Sequence, residues 1–311
     1  MTLDELHRHA RAAVAKQTGS TSVASSTLSV ADIPKTADGH AVTGQFRLAS
    51  RDATVPRTVP RGFRGRLFRI RFAFGKRYRS CQITIAPSLA RALSALFTKE
   101  GSVRVGEPLM HALATLIHEE FHAVHYAGWP GLVQDRVLET PGVRQLTEGI
   151  IELGVEQLLP SILPELGMGG LQKVVRFLQT RRAYVAQHEA ARALIDHIAA
   201  LERAPTTSVL TRALKYGSGM IALRMLAHDV TCARDIANRI PEWRWKFVRF
   251  QPELPLSPER QIVREILVPF DDLAGWFGNS GDVFGDTASE QGRRASSTAI
   301  HRLDGFLKTA A

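Results

Sequence analysis

Met110–Gly128, MHALATLIHEEFHAVHYAG, is the stretch on which the fold is read. Its apolar residues recur at three- and four-residue spacing, Pro108 stands just before it, and Gly128 and Pro130 follow. Those are the start and stop signals of a helix. Inside it runs His118-Glu119-Glu120-Phe121-His122. At 3.6 residues per turn, positions i and i+4 share one face, so both imidazoles can meet a single metal ion. Glu119 falls about 100° around the helix, beside such an ion rather than beneath it. Shuffling the 11 histidines and 17 glutamates through 311 residues would produce only roughly 0.02 such pentads. The competing reading is a pair of core histidines on a buried helix, with Glu119 facing solvent.

A catalytic zinc takes three protein ligands and keeps a fourth position open. A histidine-rich continuation would require Gly at 125 and His at 128, where the chain has His125 and Gly128. The next predicted helix opens with Leu146-Thr147-Glu148-Gly149-Ile150-Ile151-Glu152, Glu148 lying 26 residues past His122. An antiparallel return would set Glu148 opposite the two imidazoles, with Glu152 one turn further on, able to accept from a ligand histidine's remote N–H. Taken alone, Glu148, Glu152 and Glu156 read as an exposed acidic stripe. The pentad upstream and the Ile, Leu and Val around them tip the reading toward ligation. His111 and His125 share the neighbourhood, the first read as a surface or supporting residue, the second as a capping or solvent-facing one.

Working outward, residues 3–16 predict a short helix, and the Ser/Thr-rich segment 17–39 lacks the apolar surface to order itself. A minor strand is expected within His40–Leu48. RLFRIRFAF (66–74) and YRSCQITIA (78–86), around Gly75-Lys76, predict an antiparallel hairpin. A short helix over 88–97 follows. After the pentad, helices are expected over 143–159 (between Pro141 and Pro160), 169–182, 184–203, 208–239 and near 258–269. A Gly/Ser/Asp-rich loop (275–292) precedes a last helix at 294–309. The fold class is α+β: a small antiparallel sheet followed by a mostly helical body. The division expected is a flexible arm with a short helix over 1–60, a main domain over 61–240, and an aromatic, Pro-rich and helical segment of unassigned role over 241–311.

At 44% apolar, 23% charged and 7% aromatic, the chain has globular usage, which excludes collagen-like, coiled-coil and largely disordered classes. Two distant cysteines, Cys81 and Cys232, exclude a disulfide framework and a zinc module built on four cysteines. No run approaches the ~18 apolar residues of a membrane span, and MTLDELHRHARAAVAKQ is not patterned as a signal peptide. The expected location is the cytoplasm, or outside the cell by a signal-independent route. Net charge is +10. Between Arg51 and Arg104, thirteen Lys and Arg face only Asp52 and Glu100, so the remainder of the chain sums to −1.

A strand pair, a short helix, the H-E-x-x-H helix and a second helix opening with E-G-x-x-E resemble the gluzincin metallopeptidases of the peptidase-MA-like group, over roughly residues 62–165. The resemblance implies zinc bound by His118, His122 and Glu148, Glu119 as general base in peptide-bond hydrolysis, and Glu152 supporting a ligand histidine. It also implies a later Tyr or His that stabilises the oxyanion, for which Tyr216 is the candidate, with His188 and His228 as rivals. In such folds an edge strand before the metal helix pairs with extended substrate. Arg69 and Arg71 there would favour acidic peptide or protein segments. The basic strands interleaved with Phe63, Phe68, Phe72 and Phe74 also read as a nucleic-acid platform. A charged, aggregation-resistant edge is the plainer reading and is placed first. A function of another class follows: a basic nucleic-acid- or protein-binding protein with a structural or vestigial zinc site. A secreted toxin or effector peptidase would differ from the leading reading in address rather than chemistry.

Overall fold

The structure is a computed structural model and describes residues 1–20, 25–34, 44–48, 80–96, 107–127, 142–173, 184–216, 265–271, 273 and 283–310. It is mostly helical with one small sheet near the N-terminus, an α+β fold. Two compact units form, one from Met1–Asp135 with Ser161–Leu171, the other from Arg136–Pro160 with Gln172–Ala311.

The first unit begins with helix α1, Leu3–Thr18. Thr2 and Glu5 cap each other reciprocally, satisfying two of the donors a helix start leaves open. Gly19 ends the helix at φ 61, a left-handed conformation natural to glycine. Strands β1 (Ser25–Val30), β2 (Gly44–Leu48) and β3 (Ser80–Ile85) follow, in the order β1-β3-β2. Cys81, Ile83 and Ile85 alternate inward from β3 while Gln82 is exposed. Helices α2 (Pro87–Ser94) and α3 (Glu107–Ala127) follow in this unit, with α3 packed against α1, α2, β2 and β3.

The sheet is mixed, not the antiparallel hairpin expected. The first arm of that hairpin, 66–74, lies outside the described residues. The second arm becomes β3, antiparallel to β2 and parallel to β1. Strand β1 comes from the Ser/Thr segment expected to be unstructured. Hydroxyls replace apolar contact there: Ser29 Oγ lies 2.9 Å from Thr84 Oγ1, and Gln82 Nε2 donates to Ser29 Oγ at 3.2 Å.

Helix α4, Val143–Glu165, runs past the expected stop at Pro160. A proline inside a helix costs about 3 kcal/mol. Ile162 and Leu163, both fully buried beyond it, contribute roughly 1.5–3 kcal/mol each toward offsetting that cost. A short 3-10 turn, Gly169–Lys173, stands where the helix over 169–182 was expected; 174–182 lies outside the described residues. In the second unit, α5 (Val185–Glu202) matches expectation, and α6 (Thr206–Tyr216) matches the described part of 208–239. A 3-10 turn at Val268–Phe270 precedes helix α7, Val283–Ala310, which packs along α5. Helix α7 absorbs residues 283–292 of the expected loop. Gly292, read as a loop signal, is a packing residue: a Cβ there would stand 2.2 Å from the Ala186 carbonyl oxygen of α5. No helix among the described residues is long and apolar enough to cross a membrane.

Candidate metal centre

Every residue of α3 from Leu116 to His125 is buried. A helix buried all round belongs in a core, yet this one brings two carboxylates and three imidazoles with it. Buried charge has to be paired or to coordinate something, so the partners say what each group does.

Glu120 is held by α1. Its Oε1 lies 2.6 Å from His7 Nε2, the two side chains 0% and 4% exposed. At roughly 200° from His118 around the helix, this pair braces the back of α3, away from the two histidines. On the front, His118 Nε2 and His122 Nε2 approach to 3.2 Å, with ring planes inclined at 67°. Two nitrogens each about 2.05 Å from one tetrahedral ion stand roughly 3.3 Å apart. Glu148 completes the group: one ligand atom each from His118, His122 and Glu148 lie within 4.8 Å of one another, the one such group among the described residues. Two imidazoles and a carboxylate are donors that a divalent metal ion accepts.

Glu119 is 6% exposed and does not face solvent, contrary to the core-histidine reading. The start of β2 lies against it: a Cβ on Gly44 would come within 2.6 Å of both Glu119 Oε1 and Thr115 Cγ2. Sequence reading missed Gly44 and His7. A lone glycine in a predicted strand does signal close backbone approach, so Gly44 was available to find; no local pattern marks His7.

Glu148, Glu152 and Glu156 are half-buried rather than a solvated stripe. Glu152 sits one turn past Glu148 on α4. Glu156 binds the Nε2 of fully buried His188, and Arg192 Nη2 at 2.5 Å. His188 is thus engaged away from the oxyanion role for which it was a rival. Burial opposes the charge of Arg192, but Glu156, with Glu189 and Asp196, holds its pKa above the ordinary value. Tyr216 closes α6 with its side chain outside the described residues; Arg69, Arg71 and His228 also lie outside them. His111 is exposed, whereas His125, in the last turn of α3, is 2% exposed, which corrects its solvent-facing role. Burial pushes the Cys81 thiol up to about 12, with the charge of Glu120 adding to it, so it stays protonated and inert.

Comparison with the profiles of known protein families, with characterised proteins and with solved structures found no match.

Proposed function

We propose that this chain is a zinc-dependent metallopeptidase of the gluzincin type, hydrolysing peptide bonds in peptide or protein substrates. The observation that carries the reading is the 3.2 Å approach of the two Nε2 atoms, with Glu148 in the same group. A zinc ion held by His118, His122 and Glu148 would supply a Lewis acid that polarises a carbonyl and brings a water's pKa near ~7. Glu119, one residue along from His118 and buried beside the histidines, takes the proton of the attacking water on its carboxylate and returns it to the leaving nitrogen. Glu152, one turn past Glu148 on α4, would orient a ligand imidazole by accepting from its remote N–H once the metal is bound. The oxyanion-stabilising role that the resemblance implies is assigned to Tyr216. Substrates rich in acidic residues are favoured by the basic segment 51–104.

Cleavage of an unfolded protein substrate, with and without a chelator, tests this. Wild type is expected to cleave and to stop when chelated. Glu119→Gln is expected to keep zinc and lose at least a hundredfold in kcat, in line with the loss of a general base. Full activity in Glu119→Gln would overturn the base assignment. Stoichiometric zinc with no cleavage by wild type would favour the basic binding protein with a structural site.

A further inference from the structure

Within the second unit, the turn that carries Glu148 is gripped by residues far along the chain. Gly142 precedes α4 at φ 76, and a Cβ there would stand 1.8 Å from the Leu267 carbonyl oxygen, so only glycine allows the approach. Asp271 Oδ1 accepts the Gly142 N–H at 3.1 Å. Its carboxylate thereby lies at a helix start, where the unsatisfied N–H groups and the helix dipole favour an anion.

One turn on, Gln187 of α5 holds the same helix twice. Its carbonyl oxygen would be 2.1 Å from a Cβ on Gly149, the residue next to Glu148. Its Nε2 donates to Gln145 Oε1 at 2.9 Å. Gln187 is fully buried. Helix α5 is in turn seated on α7 where Gly292 meets Ala186, the neighbour of Gln187. A ligand carboxylate must be held within roughly 0.5 Å and 10–20° of its productive geometry by its supporting residues. A small rotation of α4 about its axis would exceed that, and these contacts oppose rotation.

We propose that the C-terminal region sets the Glu148 carboxylate for metal binding, with Asp271 and Gln187 as its positioning residues; this rests on the reading of Glu148 as a ligand. It gives a task to part of residues 241–311, which the sequence left without one. Asp271→Asn keeps the acceptor oxygen, Asp271→Ala removes it, and Gln187→Met removes the donor at similar volume.

Zinc affinity by competition with a chelating dye, the visible spectrum of the cobalt-substituted protein, and the thermal midpoint are measured on the full chain. Glu148→Gln and Leu303→Ala, a buried residue of α7, are run beside the three variants. Asp271→Ala and Gln187→Met are expected to weaken zinc binding about 10–100-fold and to alter the cobalt spectrum. Asp271→Asn should stay within about threefold of wild type, and Leu303→Ala should melt lower with zinc affinity unchanged. Wild-type affinity in Asp271→Ala and Gln187→Met, or losses that track the melting temperature in Leu303→Ala as well, would overturn the positioning role. If Glu148→Gln weakens zinc while those two variants do not, only this proposal falls. If Glu148→Gln binds like wild type, the ligand reading falls with it.

Discussion

Gly44 is the residue through which the sheet acts on the site. Its missing side chain lets β2 lie directly on Glu119 Oε1 and Thr115. In Gly44→Ala the new methyl displaces the carboxylate, because Thr115 is branched and set in a buried helix while the Glu119 side chain can swing. A misplacement of about 1 Å in a reacting group can cost roughly a hundredfold in rate. Gly44→Ala is therefore expected to lose ~10–100-fold in kcat with KM and zinc content near wild type. Unchanged kcat would show that β2 does not hold the base. His118 and His122 were legible because helical periodicity converts an i, i+4 spacing into a shared face, and Glu148 because it opens the next helix in sequence. His7 was not, since it meets Glu120 across more than a hundred residues of chain and the spacing rule reaches only a few turns, while Gly44 carries only the general signal of a glycine in a strand.

At the scale of elements, helices whose ends coincide with apolar periodicity were read well, as in α1, α5 and the pentad helix. The misplaced helix ends share one cause: proline and glycine signal stops that tertiary burial overrides. Helix α4 continues through Pro160 because Ile162 and Leu163 are buried past it, and α7 starts early because Gly292 fits against α5. Strand β1 escaped notice because its pairing uses main chain and hydroxyls instead of apolar surface. A local rule is broken at the end of α5, where exposed Arg203 adopts φ 50 and donates its N–H to Ala199 and Ala200. Left-handed backbone is easy for glycine and costs other residues roughly 1 kcal/mol. Arg203→Gly is expected to raise unfolding free energy by ~0.4–1 kcal/mol in urea titration, and a decrease would show that the arginine side chain contributes more than its backbone conformation costs.

Across the whole molecule, composition named the class and charge drew attention to Arg51–Arg104, most of which lies outside the described residues. The mixed sheet was illegible for a physical reason, since a parallel pair such as β1 and β3 needs a long crossover that leaves no local turn signal. The proposed chemistry depends on one assembly, two imidazoles and a carboxylate brought together by a pentad and a segment 26 residues further on. The most direct test is the zinc content of the purified full chain, refolded with excess zinc and desalted, for wild type and His118→Ala side by side. One zinc per wild-type chain, falling to a small fraction of that in His118→Ala, is the expected result. Equal zinc in the two proteins, or none in wild type, would contradict it.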